Sequence, residues 1–464
     1  MTTTAATTTV RLALGQLRRR PASFAGLALA LLLAVATVTL FGSLFAAAAT
    51  APAAARHAPA GPGLMVIAGA FGEIAVLVAF FVVVNALGFT LRQQQRELAL
   101  LRTVAATPRQ TRRLVRYQVL ATTLLVTVPG WVLGAAAARR FLGELRRRGM
   151  AAPGVRVPGT PLPLLVALAA VLLVGLGAAA LAGRRVSRSA PAAALTAGST
   201  EQGRTGAPRV LAGVGALVGG GLLLRLAATR PADQGDKAGQ AALLGSLVLL
   251  VALALLGPLT ARLLAAVLGA PVRALAPGAG WLSDANLRGY ARRLSAAVVP
   301  VALLVGLSGT MLIMTRTAEH AAGLTGTSVT SATDVWLRQA ELAMLVCFAA
   351  VSTVNTLVAV TAELRREFAL LRLVGATGGQ LLRMLTVEAV LTTAMGVLLG
   401  ALVAGAASAA FSTAATGSAV PRVPVAACWW IVTGAAALTV PGIVGTGLRA
   451  VRGPAAELAG GGRD

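Results

Sequence analysis

The chain has few of the residues on which catalytic sites depend. It contains two histidines and two cysteines among 464 residues, and Lys237 is its only lysine. Cys347 and Cys428 lie in apolar runs without CxxC spacing, so we expect them to pack as small apolar side chains rather than form a disulfide or a metal site. His57 and His320 fall between apolar runs and are expected to be solvated. No Ser/His/Asp, Cys/His or metal-ligand set can be assembled from these residues, so we expect no catalytic centre and no metal ion.

A phosphate-binding loop is also absent from the sequence. The pattern Gly-x-x-x-x-Gly-Lys followed by Ser or Thr does not occur, and Lys237 stands in Asp-Gln-Gly-Asp-Lys-Ala. In such a loop the backbone amides and the lysine hold the phosphates of ATP. We therefore expect no enzymatic activity and no directly bound cofactor. Any step driven by ATP requires a separate subunit.

The chain has little charge for its size. Charged residues make up 12% and hydrophobic residues 57%, with a mean hydropathy of +0.80, whereas soluble domains carry about 25% charged residues. Apolar runs long enough to cross a bilayer, about 20 residues each, occur ten times. They lie near residues 22–48, 64–91, 115–138, 161–183, 209–229, 241–269, 294–315, 339–362, 384–412 and 426–448. The sequence predicts an all-α, polytopic helical membrane protein with about ten transmembrane helices.

The net charge of +26 is compatible with nucleic acid binding, but its placement indicates a membrane instead. With the N-terminus in the cytoplasm, most arginine clusters fall in cytoplasmic loops, as the positive-inside rule requires. Anionic lipids of the inner leaflet are then the expected partners, and no nucleic acid is expected. One loop, residues 139–156, carries six arginines and lies outside in this topology. The expected location is the plasma membrane, with both termini cytoplasmic.

One charged segment occurs twice. Arg96-Glu-Leu-Ala-Leu-Leu-Arg102 returns as Arg366-Glu-Phe-Ala-Leu-Leu-Arg372, 270 residues later (366 − 96). Asn85 and Asn355 match at the same offset. This internal repeat divides the chain into three parts. They are a first repeat with spans 1–4 (1–195), a cytoplasmic linker with a two-helix insert (196–282), and a second repeat with spans 7–10 (283–464). Because each repeat has four spans, the two repeats are parallel.

Each copy of the segment is predicted to form a short amphipathic helix in the loop after span 2 or span 8. Its apolar stripe and charged flanks are Arg96, Glu97, Leu98, Leu101 and Arg102 in the first copy, and Arg366, Glu367, Phe368, Leu371 and Arg372 in the second. Gly375 suits the left-handed residue that ends a helix. Capping-box spacing then predicts the start of a new helix. It occurs at Thr107 and Gln110 and again at Thr377 and Gln380. A helix lying on lipid headgroups would explain the arginines and leucines, but not the repeated caps.

The motif Arg-Glu-x-Ala-Leu-Leu-Arg-x-Val-x-Ala-Thr follows a span that contains asparagine, and each repeat closes with an arginine-rich tail and Pro-x-x-x-Leu (191–195 and 454–458). These features resemble two FtsX-like permease domains of ABC transporters in one chain. The resemblance implies that the segments are coupling helices that dock on a cytoplasmic ABC ATPase subunit, expected as a dimer. It implies a transmembrane subunit that couples ATP hydrolysis by that partner to export or mechanotransmission. The first copy departs from the family pattern at Ala105, where the second has Gly375, and at Gln118, where the second has Glu388.

Polar groups inside the spans are a second set of candidates, because a charge buried in hydrocarbon is costly and often functional. Glu73 and Glu341 lie in the outer parts of spans 2 and 8, and Asn85 and Asn355 lie deeper. The asparagines are expected to form hydrogen bonds between helices. The acids leave an alternative open: a secondary transporter driven by an ion gradient, with one of them as the proton site. The sequence does not select among lipid, peptide, lipoprotein and drug substrates.

Overall fold

The computed structural model describes residue 15, residues 21–51, 63–94, 107–188, 207–231, 234–275, 291–325 and 375–452, parts of 336–356, and residues 371–373. The helices in these ranges are α1 (Pro21–Thr50), α2 (Leu64–Gln93), α3 (Pro108–Arg147), α4 (Leu162–Arg188), α5 (Ala207–Ala228), α6 (Gly235–Leu275), α7 (Ala291–Thr325), α8 (Gly378–Thr416) and α9 (Val425–Arg452). The described residues between 336 and 356 are also helical, and no strand occurs in the part of the chain that the structure describes.

Seven helical stretches among the described residues are long and apolar enough to cross a membrane. They are Phe24–Thr50, Arg109–Arg147, Ala207–Ala228, Lys237–Leu264, Ala297–Gly323, Gly378–Thr416 and Val425–Gly445. Shorter apolar helices at Leu64–Glu73, Leu162–Gly177 and Leu342–Thr353 fall within three further predicted spans. The all-α, multi-pass membrane fold predicted from hydropathy is confirmed.

The chain forms two compact units. Unit 1 comprises Met1–Thr200 with Ser331–Leu337, and unit 2 comprises Glu201–Thr330 with Arg338–Asp464. In unit 1, α1 packs against α2, α3 and α4, and in unit 2, α8 packs against α5, α6, α7 and α9. The two-helix insert therefore packs with the second repeat. One buried cluster that joins α6 to α7 and α8 consists of Ala261, Leu294, Val298, Leu391 and Met395.

The sequence repeat has a counterpart in helix packing. Helices α3 and α8 begin 270 residues apart (378 − 108), as do α1 and α7 (291 − 21). In unit 1, a Cβ on Gly130 of α3 would lie 2.9 Å from Cγ1 of Val35 in α1. At the equivalent positions of unit 2, a Cβ on Gly400 of α8 would lie 2.8 Å from Cβ of Val305 in α7. Glycine lets the two helix backbones approach closely, so both repeats use the same crossing.

Helix α3 continues well past its predicted span, which ended at residue 138. Its last turn is stabilised by Glu144, whose carboxylate pairs with Arg147 at 2.6 Å and Arg148 at 3.0 Å. Such pairs, and arginine near a helix C-terminus, favour helix. The helix stops where Gly149 adopts a φ of +73°. Much of the arginine-rich segment 139–156 is therefore helical rather than loop.

Helix α6 contains a proline, which leaves a backbone carbonyl without its usual donor, and a side chain of α5 supplies a replacement hydrogen bond. Pro258 has no N–H to donate to the carbonyl of Ala254, one turn earlier. Arg209, at the start of α5, donates from Nη2 to that carbonyl at 3.0 Å and from Nε to the carbonyl of Leu255 at 2.9 Å. Backbone carbonyls inside a membrane need such partners. The arginine therefore fixes α5 against the proline site of α6.

Candidate partner-docking site

The segment in front of α8 is a helix, a break and a new helix. Residues 371–373 are helical, and the backbone reverses at Gly375, where φ is +98°. The N–H of Gly375 donates to the carbonyl of Arg372 at 3.0 Å, and the N–H of Ala376 donates to the carbonyl of Leu371 at 2.9 Å. A helix end of this type needs a left-handed residue, which glycine adopts without steric cost. Gly375 therefore ends the helix where its sequence position suggests.

Both repeats have a complete capping box at the start of the next helix. In unit 2, Oγ1 of Thr377 accepts from the N–H of Gln380 at 3.3 Å, and Oε1 of Gln380 accepts from the N–H of Thr377 at 3.0 Å. In unit 1 the same two bonds join Thr107 and Gln110, at 3.3 and 2.8 Å. These bonds satisfy N–H groups that the first helical turn leaves without intrahelical acceptors. The start of α3 and the start of α8 are thus fixed in the same way.

Leu371 lies against the bundle of unit 2 rather than pointing away from it. It is half-buried on a cluster formed by α7, α8 and α9. The buried members are Ala297, Leu381, Met384, Leu385, Ala389 and Ile443. The contacts seen for this side chain are therefore with its own bundle. Two residues later, Leu373 is 59% exposed, so its apolar side chain is not covered by the bundle.

Eight of the predicted docking residues lie outside the described residues. They are Arg96, Glu97, Leu98, Leu101, Arg102, Arg366, Glu367 and Phe368. Docking through them stays a prediction. The described part of the site consists of residues 371–373 with the half-buried Arg372, the break at Gly375, and the two capping boxes.

The predicted intramembrane polar residues are only partly described. Glu73 is exposed on α2, and Asn85 is half-buried on the same helix. Glu341 and Asn355 lie outside the described residues. The carboxylate of Glu73 is therefore not enclosed within unit 1.

Two more deeply buried polar residues, Gln118 and Glu388, stand out in the sequence only as a departure from the family pattern, not as a candidate site. Gln118 in α3 is 2% exposed, and its repeat mate Glu388 in α8 is 9% exposed (388 − 118 = 270). The hydroxyl of Thr122 donates to the carbonyl of Gln118, and that of Thr392 to the carbonyl of Glu388, both at 2.7 Å. Such bonds satisfy a threonine inside its own helix. The available signal was the repeat itself, which aligns an amide with an acid just before a pair of threonines.

The few residues with metal-binding or nucleophilic side chains do not form a site in the described structure. No group of three His, Cys, Asp or Glu side chains that could hold a metal ion occurs among the described residues. Cys347 and Cys428 are free thiols. His320, which the sequence predicts to be solvated, lies in the last turns of α7. Because α7 continues past its predicted span, His320 is half-buried, and its Nε2 lies 3.2 Å from Nη2 of Arg422.

Two bundles of apolar helices, each with a capping box at the start of the helix that follows its charged segment, define a multi-pass membrane protein. The family model described as FtsX-like permease C-terminal matches residues 69–191 and 341–455, together just over half of the chain. Among curated proteins no match is found. The chain belongs to the FtsX-like permease family, and each matched stretch contains one charged segment and one capping box. It is a permease-type membrane protein of the ABC transporter class, a class of typically non-enzymatic subunits that in general associate with an ATPase.

Proposed function

We propose that the chain is the transmembrane subunit of an ABC-type transporter, and that it transmits the work of ATP hydrolysis from a separate cytoplasmic ATPase to export or mechanotransmission across the plasma membrane. The observation that carries the proposal is the construction of residues 371–377. Leu371 attaches this segment to the bundle, Gly375 reverses the chain, and the capping box at Thr377 starts α8 immediately afterwards. Of the described residues, Gly375 and Ala376 stand between the exposed Leu373 and the capped start of α8 at Thr377.

A partner that moves this segment must also move α8. Leu371 packs on the same cluster as Leu381 and Leu385 in the first two turns of that helix. The helix has 39 residues, so it is about 58 Å long at 1.5 Å per residue and exceeds the roughly 30 Å of a bilayer core. It packs along α7, where Gly400 permits close contact. Displacement at the capped end is therefore carried to the opposite membrane face.

Because the segment is duplicated, the chain has two positions at which an ATPase would act on a membrane helix. Unit 1 has the same capping box at Thr107 and the same close crossing at Gly130. Two pseudo-equivalent segments suit a dimeric ATPase, because a symmetric dimer presents two equivalent surfaces. Nucleotide chemistry belongs to that partner, since this sequence contains no phosphate-holding loop. In this proposal the segments and both chain termini lie in the cytoplasm.

An ion-gradient-driven transporter is the second candidate, because Glu388 is a buried acid within a membrane helix. Intramembrane carboxyl groups commonly serve as proton sites. Its repeat mate, however, is Gln118, which does not titrate, and Glu73 is exposed. The ion-driven mechanism also leaves the duplicated caps without a role. The ATP-driven mechanism accounts for them and is preferred.

Purification of the tagged full-length chain in mild detergent, from cells that express its neighbouring genes, tests the proposal. We expect an ATPase with a phosphate-binding loop to co-purify, and ATP hydrolysis to occur in the complex but not in the chain alone. Hydrolysis that persists after every other polypeptide is removed would contradict the assignment. Transport driven by an ion gradient in vesicles that contain this chain alone would favour the second candidate.

A further inference from the structure

Unit 2 has a cavity of about 690 Å³. It opens at the opposite end of α8 from the capping box. Its walls are the last turns of α7, the last turns of α8 and the connection from α8 to α9. Pockets that bind small ligands or headgroups typically have volumes of about 300–1,000 Å³. The cavity is therefore large enough for a lipid headgroup, and it is separate from the proposed docking segment.

The polar lining of the cavity is basic and rich in hydroxyl groups. It consists of Arg316, Thr317, His320, Ser412, Thr416, Ser418 and Arg422. Among the described residues that line the cavity there is no carboxylate, although Glu319 pairs with Arg316 at 3.0 Å on the exposed side of α7. Guanidinium groups with hydroxyl groups beside them are the usual recognition chemistry for phosphate. The lining thus favours an anionic ligand.

Hydrogen bonds between elements hold this lining in place. The backbone N–H of Arg422 donates to Oγ1 of Thr317 at 3.1 Å, which joins the connection to α7. Oγ of Ser412 donates to the carbonyl of Val420 at 3.1 Å, which joins the connection to α8. The guanidinium of Arg422 also contacts the ring of His320. The connection is therefore fixed with both arginines beside one opening, and it does not need a ligand to assemble it.

Two tryptophans indicate the depth of the cavity in the membrane. Trp429 and Trp430, in the first turns of α9, are 67% and 77% exposed. Tryptophan side chains of membrane proteins collect at the level of the lipid headgroups. The cavity wall ends at Pro424, directly before α9, and includes the exposed apolar Val420 and Val423. The basic groups therefore lie at headgroup depth, beside apolar surface suited to acyl chains.

We propose that this cavity binds the phosphate group of an anionic phospholipid, with Arg316 and Arg422 as the charged contacts. The site is specific to the second repeat, because the repeat mates of Arg316 and His320 are Ala46 and Thr50 (316 − 270 and 320 − 270). The proposal goes beyond coupling to an ATPase and does not depend on it. Free phosphate would be bound by the same groups, so the experiment compares the phospholipid with inorganic phosphate.

The test measures ligand binding to the purified full-length chain in zwitterionic detergent. The probes are dioleoylphosphatidylglycerol, dioleoylglycerol as the same acyl chains without phosphate, and inorganic phosphate. Phosphatidylglycerol is expected to bind, and the double substitution Arg316→Gln with Arg422→Gln is expected to weaken it at least about tenfold, because each arginine forms charge-assisted hydrogen bonds. The matched control is Arg156→Gln, an exposed arginine in the connection that follows α3. It should leave binding unchanged.

Folding is checked by thermal unfolding without lipid, and Arg422→Lys provides a second variant that retains the positive charge and should retain most of the binding. Equal phosphatidylglycerol affinity in the wild type and the double variant would overturn the proposal. Equal binding of dioleoylglycerol would also overturn it, since phosphate would then contribute nothing. Inorganic phosphate that binds as tightly as the lipid would overturn the lipid assignment.

Discussion

Gly134 in α3 lies directly against Thr39 in α1, so that a Cβ at residue 134 would come within 2.8 Å of the Thr39 Cβ and would overlap the carbonyl oxygen of Ala36. At the equivalent crossing of unit 2 the glycine is on the other helix, α7, and α8 carries an alanine. There a Cβ on Gly309 of α7 would lie 3.1 Å from the Cβ of Ala404 in α8. At this pair of positions each repeat therefore keeps one glycine, on α3 in unit 1 and on α7 in unit 2, because the backbones approach closely there.

The first prediction concerns this crossing. Gly134→Ala should destabilise the chain by about 1–3 kcal/mol, because the added methyl overpacks a close helix contact. Thermal unfolding in detergent measures the effect. Gly143→Ala on the same helix is the control, since nothing lies within 4 Å of a Cβ there, and helical alanine is favoured over glycine by about 0.5–1 kcal/mol. If both variants unfold at the same temperature, the close-packing argument is wrong.

The second prediction concerns the break at Gly375. Gly375→Ala places a side chain at a φ of +98°, which costs about 1–2 kcal/mol for an L-residue. The segment should then shift, and affinity for the ATPase should fall by about five- to thirtyfold, as measured by titration of the purified partners. Gly379→Ala, in the first turn of α8, has open space and is the control. Unchanged affinity in Gly375→Ala would mean that the break does not position the docking surface.

The third prediction concerns the cap of α8. Thr377→Ala removes the oxygen that accepts from the N–H of Gln380, and loss of such a cap costs about 0.5–2 kcal/mol. Amide hydrogen exchange in the first turn of α8 should accelerate several-fold, while exchange at the capping box of α3 stays unchanged. Thr377→Ser retains the acceptor and should restore slow exchange. Equal exchange in the alanine and serine variants would show that the cap does not hold this helix start.

The fourth prediction distinguishes the two candidate energy sources. Glu388→Gln gives the second repeat the amide that the first repeat has at Gln118, and the amide is close in size to the acid it replaces. In an ATP-driven transporter the variant should fold and retain its transport-linked ATPase activity within about twofold, because no step requires proton exchange at this position. Transport abolished by Glu388→Gln in a chain that unfolds at the wild-type temperature would instead support proton coupling.

The helices could be predicted from the sequence because their main signal is local. Apolar runs locate α3 and α7, and the capping-box spacing locates the start of α8 to the residue. The same runs do not show where a helix ends outside the hydrocarbon. Helix α3 continues to Arg147 because Glu144 and the neighbouring arginines favour helix in water as well.

The contacts between helices could not be predicted from the sequence, for a different physical reason. Burial of Glu388, and the contact of Arg209 with the carbonyls beside Pro258, depend on which helices are neighbours. A single sequence without that information indicates which residues are polar, but not what faces them. For the same reason, the sequence does not predict that the helices of the insert pack with α7 and α8. The amphipathic spacing that makes Leu371 a predicted docking residue likewise does not show that Leu371 packs on its own bundle.

The central claim is that the segment before α8 receives the ATPase, and Leu373 tests it most directly. Affinity of the ATPase for the reconstituted chain should fall by about five- to 150-fold in Leu373→Asp, because removal of an apolar anchor at such a contact costs about 1–3 kcal/mol, while thermal stability stays unchanged at this exposed position. Leu371→Asp should lower both, since Leu371 packs on the core. Ala419→Asp, exposed beyond the other end of α8, is the control and should change neither. Full ATPase affinity in Leu373→Asp and in Leu371→Asp would contradict the docking assignment.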